Sequence, residues 1–335
     1  ASAPAGGVTV GTLRAELTDA QLRHRRANGK EDVVRLGSGV VTAHAVPEAF
    51  EAKLQLDAGA TGRIEGEATV QRSAADFADL PLRADLNART DAIGLLNLYI
   101  PEIDRSSGLL TVDVALGGTL GTPLVNGLVR LEDGELDLYN INLALRAANL
   151  EARLIDNGFS FKGSARSGEG SLAADGKLTW RGGQTAGALN LKGKDLLVVN
   201  VPEARITASP DLRFRIDGRE LEANGTVVVP YAKVAPADLT GAVVSSSDER
   251  IVGAPVVNPE DTFRVTSNIR LELGDKVEID TFGLTGRIAG AITASTTPDG
   301  TSRGSGELGV AEGKYMALGR RLDIERGRLI FGGGL

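Results

Sequence analysis

The chain has 335 residues, 42% hydrophobic but only 4% aromatic, with 43 glycines, no cysteine and a formal net charge of −7. That charge excludes the cationic surface nucleic acid requires, and it offers no attraction to anionic headgroups. Without cysteine there are no disulfides and no thiolate metal sites, and no run of about 18 apolar residues exists to span a bilayer as a helix.

Few rings, many aliphatics and glycine well above the usual ~7% fit a sheet-rich chain with many turns. The chain opens at "ASAPAGG" with no signal peptide and stops at "RLIFGGGL" in mid-pattern. It reads as a piece of something longer.

Period-two alternation recurs from one row to the next. The first rows are Phe50, Ala52, Leu54, Leu56 and then Ile64, Gly66, Ala68, Val70. Leu82, Ala84, Leu86 follow, then Leu110, Val112, Val114, Leu116. Phe159, Phe161, Gly163 lead to Leu172, Ala174, Gly176, Leu178, Trp180. Leu212, Phe214, Ile216 precede Leu221, Ala223, Gly225, Val227, Val229. Ile269, Leu271, Leu273 precede Val277 and Ile279. In "GLTGRIAGAITAST" (283–296), Leu284, Gly286, Ile288, Gly290, Ile292 and Ala294 form one face and small or polar residues the other.

Asn157-Gly158 in "DNG" (156–158) suits a tight hairpin, because both residues tolerate positive φ. "EDG" (132–134), "ADG" (174–176), "RGG" (181–183), "LGD" (273–275) and "PDG" (298–300) are expected to turn likewise. Rows of about five to eight residues joined by short turns imply an antiparallel meander.

One segment changes period. In "DAIGLLNLYIPEI", Ile93, Leu96, Ile100 and Ile103 have helical spacing, Asp91 caps the start and Pro101 ends it, so a short helix is expected over 91–100. A second is expected near 236–243. The stretch 127–145 also echoes 306–324 at a constant offset, with Gly127 and Gly134 matching Gly306 and Gly313 and Leu131 matching Val310.

Chemistry-bearing patterns are absent. His24 and His44 have no metal-site spacing, no G-x-S-x-G surrounds a serine, and "FGGGL" has no lysine to make a phosphate loop. Most acids, such as Glu65, Glu67, Asp113 and Glu222, fall on the polar phase of a strand, and "HRR" (24–26) reads as a solvated strand end. The expectation is no enzyme, no metal and no cofactor.

The apolar phase must be buried against something. Many of its positions are small: Gly66, Ala68, Gly176, Ala223, Gly225, Gly286, Gly290. A filled sandwich wants large side chains, whereas a sheet bent by glycines leaves an apolar groove. An acyl chain of ~16 methylenes gains about 13 kcal/mol on leaving water at ~0.8 kcal/mol each. In a continuous groove the next position has nearly the same energy.

Residues 195–243, "DLLVVNVPEARITASPDLRFRIDGRELEANGTVVVPYAKVAPADLTGAV", followed by "SSSDERIVG" (245–253), carry a recognisable pattern. So do "SGLLTVDVALGGTLGTPLVNGLVRLEDGELDL" (107–138) and "DIERGRLIF" (323–331). Together they resemble the C-terminal region of the TamB family, the inner-membrane partner in the bacterial translocation and assembly module. The resemblance implies an elongated, taco-shaped β-sheet with an apolar concave surface; with the two helices expected from spacing, the fold class expected is all-β, a curled antiparallel sheet with one or two short helices. With the recurring rows and the internal echo, the expectation is a single elongated repetitive domain over 1–335, with sub-segments 1–88, 89–232 and 233–335. The resemblance implies a periplasmic place, anchored in the inner membrane in the longer protein, the piece itself being soluble. It implies phospholipid as cargo and the outer-membrane barrel TamA as partner.

Two functions follow. The first is a lipid-transfer conduit, with acyl chains solvated by Leu172, Leu178, Leu212, Phe214, Leu221, Val227, Val229, Leu271, Leu273, Leu284, Ile288 and Ile292. The second is an assembly factor for outer-membrane proteins, holding a client strand at an exposed sheet edge. A passive spacer or adhesin stalk with a filled interior is the plain alternative.

Overall fold

A computed structural model describes residues 10–25, 31–58, 62–73, 76–91, 93, 103–138, 143–181, 184–235, 264–281, 283–317, 320–324 and 327–334. The fold is all-β, with nineteen strands among these residues. The chain divides into two compact units, the first mainly residues 1–166 and the second mainly 167–335.

The first unit is built on β1 (Gly11–Arg25), β2 (Glu31–Ala45), β3 (Ala49–Ala58), β4 (Gly62–Gln71), β5 (Leu82–Thr90), β6 (Ile103–Gly118), β7 (Pro123–Leu138), β8 (Leu143–Ile155) and β9 (Gly158–Ser167). From β1 to β7 each strand pairs antiparallel with the next, and β8 pairs with β9. The register lines up the alternating rows, because directly paired residues share a face. One transverse row runs Val41, Leu54, Gly66, Leu86, Val114, Gly127. The polar phase runs alongside, as in Lys53, Glu67, Asp85.

The second unit holds most of β10 (Gly170–Arg181), of which Lys177–Trp180 group with the first unit. It continues with β11 (Gln184–Lys194), β12 (Leu196–Val201), β13 (Ala204–Asp217), β14 (Glu220–Val234) and β15 (Arg264–Thr281). It ends with β16 (Leu284–Thr296), β17 (Ser302–Ala317), β18 (Arg320–Ile324) and β19 (Gly327–Gly334). β11 and β12 pair with successive stretches of β13, and β18 and β19 with successive stretches of β17.

Several expectations are corrected. β14 and β15 are parallel, with Val227 opposite Leu271, so the sheet is not a pure antiparallel meander. A parallel pair needs a crossover of a dozen or more residues, and 235–263 supply that length. The strands also outrun the expected five to eight residues, β15 reaching 18.

Three turn signals lie inside strands: 132–134 in β7, 174–176 in β10 and 273–275 in β15. At 273–275 the β15–β16 register slips. At 132–134 Asp133 adopts φ 48°, and Gly134 beside it leaves room for Leu131 and Ala148. These Asp-Gly and Gly-Asp pairs make bulges or plain strand rather than hairpins. By contrast, residues 156–158 and 298–300 do turn the chain.

Most of 91–100, where a helix is expected, and all of 236–243 lie outside the described residues. A one-turn 3-10 helix at Phe77–Asp79 had no sequence signal.

The bulges reuse one device. Where a residue takes positive φ its N–H leaves the ladder and needs another acceptor. The N–H of Asp19 (φ 47°) donates to Ser38 Oγ at 3.0 Å. That of Asp133 donates to Asn149 Oδ1 at 3.3 Å, and that of Asp195 (φ 51°) to Ser209 Oγ at 2.9 Å.

The sequence echo has a backbone counterpart. Gly127 and Gly306 sit at φ 151° and 135°, and Asp133 and Glu312 at 48° and 55°. Gly134 faces Leu131 as Gly313 faces Val310.

Candidate functional site: the apolar strand face

In the second unit the pairing assembles one apolar face. One row runs Leu191, Leu212, Gly225, Ile269, Ala294, Gly304, Gly333. The next runs Pro210, Val227, Leu271, Ile292, Gly306, Phe331. Large side chains stand beside glycines: Leu212 by Gly225, Ile292 by Gly306, Leu273 by Gly290.

Those glycines are required by the backbone. Gly225, Gly290 and Gly306 have φ of 144°, 129° and 135°. A Cβ built on them meets the carbonyl oxygens of Asp211, Glu307 and Ala291. Only glycine populates such a conformation readily, and it kinks the strand without losing register.

The expected groove residues are brought together in large part. Leu212, Phe214, Leu221, Val227, Val229, Leu271, Leu273, Leu284, Ile288 and Ile292 share this face across β13 to β16. Leu172 and Leu178 follow the half-buried phase of β10, Leu178 in the stretch that groups with the first unit. All are half-buried except Val229, which is 8% exposed.

Val229, Ala232 and Val277 form a small core, with Ile206, Leu271, Leu273 and Ile288 packed against it. Ile288 is therefore part of a packed patch as well as of the face. Sequence reasoning missed Leu189, Leu191, Leu308, Leu329 and Phe331, which extend the same face. Their signal was the same alternation, in rows interrupted by glycine.

The first unit carries a comparable face. At its β1–β4 end a cavity of about 440 Å³ is lined by Leu13, Ala43, Ala45, Phe50, Ala52 and Val70. The Arg72 guanidinium lies 4.0 Å from the Phe50 ring centroid.

The opposite phase is polar and laced by cross-strand ion pairs. Lys53 meets Glu67 at 2.8 Å, Arg130 meets Glu151 at 3.1 Å, and Arg264 meets Glu220 at 2.9 Å. Hydrogen bonds from Arg130 and then Arg153 hold the Glu151 carboxyl below the usual carboxylate range. Arg328 does the same for Glu307, and a hydrogen bond to Glu67 raises Lys53. These pairs are exposed, so each contributes little stability; they mark this face as the one that stays in water.

The described residues hold no His, Cys, Asp or Glu cluster suited to a metal ion. His44 Nδ1 lies 3.2 Å from Thr12 Oγ1. No helix among the described residues is long and apolar enough to cross a membrane.

The chain is similar to the translocation and assembly module subunit TamB of Haemophilus influenzae, with 23% identity over 256 residues, 72% of this chain. It spans 20% of that relative's length. No solved structure matches. The family model for the TamB C-terminal domain matches residues 161–334, just over half of the chain and nearly all of the second unit's apolar face, and the chain belongs to that family.

Proposed function

We propose that this chain is a length of a lipid-transfer conduit, with phospholipid acyl chains lying along the apolar strand face and headgroups left in water. In the longer protein, anchored in the inner membrane, the face would carry lipid across the periplasm toward an outer-membrane barrel partner, TamA. One observation carries the reading. Across β11 to β19 the apolar face is mostly half-buried, and among the described residues of the second unit no second layer covers it.

Apolar area left half-wet gains about 25 cal/mol per Å² when hydrocarbon covers it. Successive rows of similar chemistry let a chain shift one row at little net change. The residues act as solvent for the lipid, and no catalysis is assigned to them.

A second reading is assembly of outer-membrane proteins, supported by the words "assembly module" in the relative's name. A client strand would then pair along a sheet edge and shelter its apolar side on the same face.

Transfer of fluorescent phospholipid between donor and acceptor liposomes tests the conduit. Val227→Arg places an unpaired charge on the open part of the face, and transfer is expected to fall to background with the melting temperature held. Transfer by Val227→Arg at the wild-type rate overturns the proposal.

A further inference from the structure

Among the described residues, the apolar face of the second unit carries a single charge. Every paired position on that face, from Leu189 and Leu191 in β11 to Phe331 in β19, is glycine, alanine, serine, threonine, proline, aliphatic or aromatic, apart from Arg320. Arg320 pairs with Ala317 at the start of β18, on the face shared by Tyr315, Leu322 and, one strand over, Leu284. Two other arginines of this end, Arg287 and Arg328, lie on the polar phase and are paired with Glu312 and Glu307. Arg320 is exposed and takes part in no ion pair among the described residues.

Its surroundings are unusual for an exposed cation. Tyr315 is 41% and Leu322 54% exposed, so two large side chains stand open on the same face, one same-face register step from Arg320. A cation at the margin of bare hydrocarbon-like surface complements one ligand chemistry: an anion joined to an apolar chain. Guanidinium presents a planar fork that matches phosphate with two parallel hydrogen bonds. Diagonal neighbours on a sheet face lie within reach of long side chains.

We propose that Arg320 is a headgroup-binding residue that takes the phosphate of a glycerophospholipid while the acyl chains lie over Tyr315, Leu322 and Leu284. This rests on the conduit reading and adds to it a place where lipid is held by its head rather than its tail. The site gives the face an end that distinguishes phosphate-headed lipids from neutral ones.

The test is equilibrium binding of two fluorescent probes with the same acyl chains, phosphatidylglycerol and diacylglycerol, to the 335-residue chain. Arg320→Gln is expected to weaken phosphatidylglycerol binding about fivefold, a discounted value for an exposed charge-assisted pair, and to leave diacylglycerol unchanged. Arg320→Lys is expected to recover part of the loss as a point charge. Arg321→Gln, one residue on and on the polar phase, is the control and is expected to bind both like wild type.

Competition by free inorganic phosphate at millimolar concentration would assign the site to phosphate ion and overturn the lipid assignment. Unchanged phosphatidylglycerol binding by Arg320→Gln, or an equal loss of both probes, overturns the inference while leaving the conduit standing. Failure of wild type to bind either probe overturns both.

Discussion

Two stretches of the same apolar face pack differently. Around Val229, Ala232 and Val277 the side chains close on one another, whereas the rows through Leu212, Ile269, Val227 and Ile292 stay half-open. Composition does not separate them, since both are built from Val, Leu and Ile beside small residues. Register does. β13 slips between Thr207 and Ser209, β14 between Val229 and Tyr231, and β15 between Leu273 and Glu278, all at one level of the sheet. Bulges bend a strand and increase its twist, so neighbouring side chains converge there. The packed patch of large side chains sits at the bent level, and where the ladder runs straight the large side chains of the face stay half-open.

The largest effect should come from charging each stretch in turn. Val277→Asp buries an unpaired carboxylate at a position 6% exposed, a penalty of several kcal/mol. Its urea midpoint should collapse, while Val227→Asp, on the open stretch, shifts it slightly. Equal losses at the two sites would erase the distinction.

Next in size are the glycine kinks that keep the open rows in register. Gly225→Val forces a β-branched residue to φ 144° and its Cβ into the Asp211 carbonyl, and should destabilise by about 1–3 kcal/mol. Gly332→Ala, where a Cβ meets nothing within 4 Å, should change stability by less than about 0.5 kcal/mol. The internal echo sharpens the same point: Gly127→Ala and Gly306→Ala meet equivalent carbonyls, of Asp113 and Ala291, and should cost alike to within about 1 kcal/mol.

The smallest effect lies on the polar phase. The folded-state pKa of Glu151 is depressed, so its contribution is present above the ordinary value of 4.5 and is lost as pH falls through the folded value. A small melting-temperature gap between wild type and Glu151→Gln at pH 7 should therefore close in acid below that range. A gap that persists once the Glu151 carboxyl is fully protonated would show that the ion pairs with Arg130 and Arg153 are not its source.

The strand phases and the identity of the apolar face were legible in the sequence, because period-two alternation survives any pairing that keeps register. Leu212, Phe214, Val227 and Ile292 fall on one face for that reason alone. The parallel pairing of β14 and β15 was not legible, since nothing local distinguishes a strand's partner across residues 235–263. Nor was the difference between a turn and a bulge. Asp-Gly at 133–134 and Gly-Asp at 274–275 have hairpin chemistry but sit mid-strand, where positive φ or one extra residue is absorbed by the neighbouring ladder. Alternation places Val229 and Ile288 with the groove lining like the rest. Their packing depends on bulges in adjacent strands, which alternation does not encode.

Native mass spectrometry of the purified chain, with lipid extraction alongside, tests the central claim most directly. The account predicts phospholipid bound in more than one copy, lost from Val227→Arg and retained in Gly332→Ala. A lipid-free mass that stays unchanged after incubation with liposomes would contradict it and leave the apolar face to a protein client.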